Sequence, residues 1–159
     1  MLISNEWLKD YVNAGVSVEK LAERITRTGI EVADIIDYSK DIKNLVVGYV
    51  KSKEKHPDAD KLNICQVDIG EEEPVQIVCG APNVDENQYV IVAKVGGRLP
   101  GGIKIKRAKL RGERSEGMIC SLQEIGVSSN VVPKDYESGI FVFPNDVTPG
   151  TNALDALYL

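Results

Sequence analysis

The chain opens with apolar residues at helical spacing and changes to the alternation typical of β-strands after about residue 40. Ser4 and Ser17 are placed as N-caps of two short helices, and Gly29 suits the left-handed turn that ends the second helix. The β-branched run at 30–36 predicts a strand. Residues 1–39 are therefore expected to form a helix–helix–strand unit that is too small to fold well alone.

From residue 45 onward, short apolar runs are separated by turns rich in glycine and proline, a pattern that predicts a small barrel or sandwich. The apolar phase flips inside two runs, between Ile64 and Cys65 and across Lys106-Arg107. A strand cannot change faces without an extra residue, so each flip predicts a β-bulge or a bend at which the strand changes sheet. Such curled strands favour an OB-type barrel. The predicted strands are 45–53, 61–69, 74–79, 89–95, 103–111, 117–121 and 139–143.

The end of the chain returns to helical spacing and could pack back on the N-terminal unit, which would make that unit discontinuous. The expected fold class is mainly β with an α+β N-terminal unit. The expected divisions are residues 1–39, 40–150 and 151–159.

Composition is that of an ordinary globular protein, with 43% apolar and 27% charged residues in a chain of 159. We expect no membrane span, because the apolar runs are short. The three cysteines are odd in number and form no Cys-x-x-Cys pair, so a reduced, cytoplasmic setting is expected.

The net charge of −5 argues against a nucleic-acid partner until its distribution is considered. Residues 94–114 carry eight basic and one acidic side chain, a net of +7 against −12 elsewhere. With the predicted bulge, Ile103, Ile105, Ala108 and Leu110 would face inward. Cations on the outer face could then follow a phosphate backbone, although a solvated edge strand explains the same pattern. These outer cations are Lys104, Lys109, Arg111 and one of Lys106 and Arg107.

Two clusters could carry chemistry, and both have a simpler structural interpretation. His56 stands beside Asp58 and Asp60, which could suggest a metal or acid–base site, but a turn capped by the aspartates is favoured. Cys120 could act as a nucleophile with His56, but a cysteine in an apolar stretch is usually a small core residue. We therefore expect no catalytic and no metal-binding residues. Few aromatic residues are available for base stacking, so RNA would be bound by charge and shape.

Five motifs occur in order along the chain: HPDADKL (56–62), CGAPNV (79–84), LPGG (99–102), KRAKLRG (106–112) and SEGMICS (115–121). Together they resemble the tRNA-binding OB domain. That domain occurs in bacterial phenylalanyl-tRNA synthetase β subunits, in methionyl-tRNA synthetase extensions and in free-standing tRNA-binding proteins. The opening MLISNEWLKDYV and the later GIEV (29–32) resemble the β-subunit version in particular.

The resemblance implies an N-terminal fragment in which an OB-fold barrel is inserted into a small discontinuous α+β domain. The family's enzyme is an α2β2 tetramer that uses ATP and Mg2+ to attach phenylalanine to tRNA. Its aminoacylation site lies in the α subunit, so this chain is expected to be a non-catalytic accessory domain without a cofactor. Its expected partners are tRNA, the α subunit and the remainder of the β subunit, with no membrane.

By the same resemblance, ten positions are expected to contact RNA: His56, Asp60, Lys61, Asn83, Lys106, Lys109, Arg111, Ser115, Met118 and Ser121. Two alternatives stay open. The chain could be a structural docking domain within the synthetase that makes no direct RNA contact, or a stand-alone RNA chaperone.

Overall fold

The computed structural model describes residues 1–37 and 39–157. The chain divides into two compact units, Met1–Asp37 and Tyr38–Leu159. The last two residues of the predicted tail, 158 and 159, lie outside the described part of the chain.

The first unit contains two short helices, α1 (Asn5–Lys9) and α2 (Val18–Arg27). Both predicted N-caps are present. The Ser4 hydroxyl accepts a hydrogen bond from the backbone N–H of Trp7 at 3.3 Å, and the Ser17 hydroxyl accepts one from Lys20 at 3.4 Å.

The turn predicted at the end of α2 is present, but the strand predicted after it is not. Gly29 has a φ of 100°, as expected for a left-handed C-terminal turn. The strand predicted over 30–36 is wrong, because none of these residues pairs with another strand among the residues that the structure describes. Ile30 and Ile36 are more than half exposed, at 62% and 55%. β-branched residues favour a strand only where a neighbouring strand accepts their backbone hydrogen bonds.

The second unit is a mostly antiparallel sheet that curls into part of a barrel, consistent with an OB-like architecture. The strands of the main sheet run in the spatial order β3-β2-β1-β4-β5, and β8 also pairs with β4. A separate two-stranded ribbon is formed by β6 and β7. The strands are β1 (Lys43–Lys55), β2 (Asn63–Asp68), β3 (Val75–Cys79), β4 (Tyr89–Leu99), β5 (Ile103–Lys104), β6 (Ala108–Leu110), β7 (Glu113–Ser115) and β8 (Met118–Ile119).

Both faces of the central sheet are covered. Four successive residues of β4, numbers 90–93, are fully buried. Val90 and Val92 join a core with residues of β2 and β3, whereas Ile91 and Ala93 join a second core with residues from the C-terminal part of the chain. A continuous apolar run is what a strand buried on both faces requires.

The two apolar phase flips have different outcomes: the change predicted between Ile64 and Cys65 is wrong, whereas the change of sheet predicted across Lys106-Arg107 is confirmed. Strand β2 pairs with β3 in unbroken register, and Ile64 simply occupies its half-buried outer face. The irregularity lies across from it in β1, where the register shifts between Val50 and Ser52. The predicted strand 103–111 is broken into β5 and β6, so the apolar phase change reflects a change of sheet.

The inward orientation predicted for the strand 103–111 is therefore mostly wrong. Ile105 is buried, at 7% exposure, but Ile103 and Leu110 are 52% and 40% exposed. The predicted strand 139–143 is reduced to one isolated bridge between Val90 and Val142. A 3-10 turn, Lys134–Tyr136, precedes it.

The chain leaves the barrel beside the strand on which it entered. The backbone N–H of Val47 in β1 donates to the carbonyl of Thr151 at 2.9 Å, and Gly150 N–H donates to the carbonyl of Val47 at 2.8 Å. The following helix, α3 (Ala153–Leu157), packs against the second unit through the fully buried Ala153. Whether residues 151–159 begin the returning half of a discontinuous first domain stays a prediction.

Candidate nucleic-acid interface

The β6–β7 ribbon presents the densest cluster of basic residues. Its two strands are joined by Arg111 and Gly112, whose φ angles are 50° and 90°. Two successive positive φ values define a tight turn that matches the twist of a hairpin, and glycine takes such a conformation without strain. Lys109, Arg111 and Arg114 are exposed on this ribbon.

The tip of the ribbon is fixed by His56, which is 4% exposed. Its Nε2 atom lies 2.9 Å from the carbonyl oxygen of Leu110, and its Nδ1 atom accepts a hydrogen bond from the backbone N–H of Asp58 at 3.0 Å. A carbonyl oxygen can only accept, so Nε2 carries the ring proton. Both ring nitrogens are therefore engaged inside the protein.

The base of the ribbon is fixed to β3 by Ser115, which is 4% exposed. Its hydroxyl accepts a hydrogen bond from Val78 N–H and donates one to the carbonyl of Gly117, both at 3.1 Å. The Gln76 side chain donates to the carbonyl of Arg114 at 2.9 Å. Glu116 N–H also donates to the backbone carbonyl of Gln76 at 2.8 Å, so the ribbon is joined to β3 by side-chain hydrogen bonds and this one backbone bond, without a regular strand ladder.

An open groove of about 730 Å3 lies beside the ribbon. It is lined by parts of three of the five sequence motifs, so residues far apart in the chain share one surface. The residues that line it include Lys104, Lys106, Ala108, Ser115, Met118 and Ser121. Met118 is half-buried and gives the groove an adaptable apolar contact.

The charge of this face is uneven. Lys104 and Lys106 are exposed at the groove, and Glu124 and Glu137 also line it. Arg107 forms an ion pair with Glu116 at 3.5 Å. Within residues 1–37 and 39–157, Lys106 and Lys109 form no ion pair, so they are available to an external anion.

Asn83 and Ser121 form internal hydrogen bonds. The Asn83 side chain donates to the carbonyl of Ile140 at 2.8 Å and accepts from Ile140 N–H at 3.0 Å, in the manner of a neighbouring strand. The Ser121 hydroxyl accepts from Glu124 N–H at 3.2 Å, but the residue is half-buried and borders the groove. Asp60 and Lys61 are exposed in the connection between β1 and β2.

The ten expected RNA-contacting positions thus fall into two groups. His56, Asn83 and Ser115 direct their polar atoms to protein partners, whereas the others reach solvent or the groove. Lys104 and Arg114 add exposed cations to this face, although neither stands in the residue set carried by the motifs. The segmental charge of residues 94–114 was the sequence signal for both.

The three cysteines are buried and free. Burial raises the pKa of the Cys120 thiol to about 12, so it is protonated near neutral pH. Its Sγ atom contacts the carbonyl of Met118 at 3.6 Å, while the ring of His56 is engaged with Leu110 and Asp58. The arrangement does not form a nucleophile–base pair.

The described residues contain neither a metal-binding cluster nor a membrane-crossing helix. Residues 1–37 and 39–157 contain no group of three or more histidine, cysteine, aspartate or glutamate side chains that could hold a metal ion. No helix in the same ranges has the length and apolar character needed to cross a membrane.

Sequence comparison identifies the class of domain. The model of a family described as "Putative tRNA binding domain" matches residues 45–152, which include both the ribbon and the groove. The chain belongs to this family. The family resemblance expected from the five motifs is therefore confirmed.

Close relatives match over all 159 residues. The chain is 88% identical to the phenylalanine–tRNA ligase beta subunit of Staphylococcus haemolyticus and 83% identical to that of Staphylococcus aureus strain MRSA252. It spans 20% of the length of each of these relatives.

Solved structures give weaker matches. A MetRS related protein from Pyrococcus horikoshii is 24% identical, with a TM-score of 0.47 over 76% of this chain and 96% of that one. The chaperone CsaA from Bacillus anthracis is 14% identical, with a TM-score of 0.46 over 74% of this chain and 97% of that one.

Proposed function

We propose that this chain binds tRNA through one basic face, formed by the β6–β7 ribbon and the groove beside it. The observation that carries the proposal is the convergence of exposed, unpaired Lys106 and Lys109 with Arg111 on a domain of the tRNA-binding family. Lysine and arginine side chains gain binding energy by displacing counterions from a phosphate backbone, whatever the base sequence.

The contacting set follows from exposure. We propose that Lys61, Lys106, Lys109 and Arg111 contact phosphates and that Met118 and Ser121 contact sugar or base edges at the groove. Asp60 would accept hydrogen bonds from ribose hydroxyls. His56, Asn83 and Ser115 would support this face from inside, because their polar atoms already have protein partners.

The larger protein proposed for this chain is the beta subunit of a phenylalanine–tRNA ligase. The chain would be its N-terminal part, a non-catalytic OB-type barrel inserted into a discontinuous α+β domain and located in the cytoplasm. ATP and Mg2+ would serve the full enzyme at a site in other chains or segments. Its protein partners would be the α subunit and the remainder of the β subunit in an α2β2 assembly.

The test is tRNA affinity measured across a range of salt concentrations, with Lys106→Gln/Lys109→Gln/Arg111→Asn compared with the unmodified chain. Asparagine is chosen at 111 because it tolerates the positive φ found there. We expect the slope of log affinity against log salt to become shallower by about 2 to 3, and affinity to fall about tenfold or more.

The matched control is Lys20→Gln/Arg24→Gln/Arg27→Gln, which removes the same charge from exposed positions on α2. Equal effects of the two triple variants would show that net charge rather than this face attracts tRNA. Unchanged binding in the ribbon variant would contradict the proposal.

A docking role is the second candidate, because the first unit exposes a set of large apolar side chains. Trp7 and Tyr11 are 62% and 75% exposed, and their rings lie 5.7 Å apart. A chain that binds no tRNA at low salt, while its absence prevents assembly of the synthetase, would favour docking over RNA binding.

A further inference from the structure

His56 occupies an unusual position for a residue in an exposed turn. Pro57, Asp58 and Asp60, which follow it in the same motif, are exposed, whereas His56 is almost fully buried. The hydrogen bond from its Nε2 atom to Leu110 joins residues that are 54 positions apart in the sequence. The bond from Asp58 N–H to Nδ1 fixes the orientation of the ring.

A second contact joins the same two segments. The Arg111 guanidinium approaches the carbonyl oxygen of Asp58 at 3.5 Å, one residue along from Leu110. The tip of the basic ribbon therefore rests on the turn after β1 through adjacent residues. Arg111 also has a positive φ, which is the backbone conformation that the tight turn requires.

The ribbon depends on such anchors. Each of its strands has three residues, and every residue of β6 is exposed. An isolated two-stranded hairpin of this size is marginally stable in water. Ser115 and Gln76 fix its base, so the remaining freedom lies at the tip, where Lys109 and Arg111 are located.

We propose that His56 is a positioning residue for the basic ribbon, and that it acts on tRNA binding through Leu110 without contacting RNA. A ribbon held in one orientation loses less conformational entropy on binding than a mobile one. The effect on tRNA rests on the proposed function, whereas the effect on the ribbon itself does not.

Two substitutions separate the two hydrogen bonds of the ring. In His56→Gln, the side-chain N–H2 reaches about the place of Nε2 and can still donate to Leu110. In His56→Asn, the side-chain oxygen replaces Nδ1 as the acceptor for Asp58 N–H, but nothing reaches Leu110. The two variants therefore differ in whether residue 56 can donate to the Leu110 carbonyl, while both have an uncharged polar side chain.

The experiment measures amide hydrogen exchange of residues 108–115 by NMR, together with tRNA affinity across salt, in both variants. We expect exchange in the ribbon to become about 2- to 10-fold faster in His56→Asn, with β1 and β4 unchanged. His56→Gln should restore most of the protection. The salt slope should be shallower in His56→Asn than in His56→Gln, because fewer cations are held against the RNA.

Equal exchange in the two variants, or ribbon protection unchanged in His56→Asn, would overturn the inference. If both variants unfold, NMR spectra of His56 in the unmodified chain test the inference. Its ring-nitrogen spectrum must show a single tautomer protonated at Nε2, with a scalar coupling across the hydrogen bond to the Leu110 carbonyl. A mixture of tautomers would contradict the anchor.

Failure of the proposed function gives a different result. If the chain binds no tRNA, the affinity measurement shows no binding in any variant. Amide exchange in the ribbon and the tautomer of His56 still test whether the His56–Leu110 hydrogen bond holds the ribbon. If tRNA binds while exchange does not respond to His56→Asn, the function stands and the positioning role is wrong.

Discussion

The main sheet and the basic ribbon are both antiparallel, but they are held together by different forces. Strands β1 and β4 have 13 and 11 residues, and residues 90–93 of β4 are fully buried. The ribbon strands have three residues each and expose four of their six side chains. The sheet is stabilised by apolar burial on both faces, whereas the ribbon is stabilised by a few directed hydrogen bonds.

Because the two regions are stabilised differently, substitutions that affect folding stability are expected in the sheet, and substitutions that affect binding are expected in the ribbon. Substitutions in the sheet are expected to change the free energy of unfolding of the whole unit. Substitutions of the exposed residues of the ribbon are expected to change the position of its charges and leave that free energy nearly constant.

The largest expected effect tests burial directly. Ile91→Ala removes a fully buried side chain from one of the two cores, and we expect a loss of about 2 to 5 kcal/mol in the free energy of unfolding. Leu110→Ala, at a ribbon position that is 40% exposed, should cost less than about 1 kcal/mol. Urea unfolding of both variants provides the measurement, and similar losses would remove the distinction between sheet and ribbon.

An intermediate effect is expected where the two regions meet. Ser115→Ala leaves Val78 N–H without its acceptor in a buried place, which should destabilise the chain by about 1 to 3 kcal/mol. Ser138→Ala, at an exposed position lining the same groove, serves as the control and should change little. Thermal unfolding measures the two variants, and a neutral Ser115→Ala would show that β3 holds the ribbon by other means.

The effect that is smallest near neutral pH comes from two buried thiols in the cores, and it grows only in alkali. Burial raises the pKa of the Cys65 and Cys120 thiols to about 12. Between the ordinary thiol pKa and that value, the unfolded chain loses protons that the folded chain retains, so stability should fall as pH rises from about 9 towards about 12. Urea midpoints across this range should decline less steeply in Cys65→Ala and Cys120→Ala. An equal decline in these variants would assign the effect to other groups.

The sequence was most informative where local chemistry determines structure. Ser4 and Ser17 cap their helices as predicted, since an N-cap needs only a side-chain oxygen and the adjacent N–H groups. The positions of β1 and β4 also follow from their apolar runs.

Long-range pairing explains most of the errors. Residues 30–36 have strand composition but pair with no strand in the described part of the chain. The run 103–111 divides between two sheets because Lys106-Arg107 carries the chain from one to the other. At the interface, charge counting located the basic face. It could not show that His56 and Ser115 face inward, because their partners, Leu110 and Val78, are far away in sequence.

The hydrogen bonds between Val47 and residues 150–151 have a further consequence, for the entropy of any segments that flank this unit. They bring the two ends of the barrel to about one strand spacing, roughly 5 Å. A flexible loop of roughly a hundred residues would cost such segments about 3 kcal/mol more in closure entropy than a four-residue turn. Once the barrel is folded, its two ends are as close as the ends of a tight turn. Joining the flanking segments then costs about the same closure entropy as a tight turn would, whatever the length of chain inside the barrel.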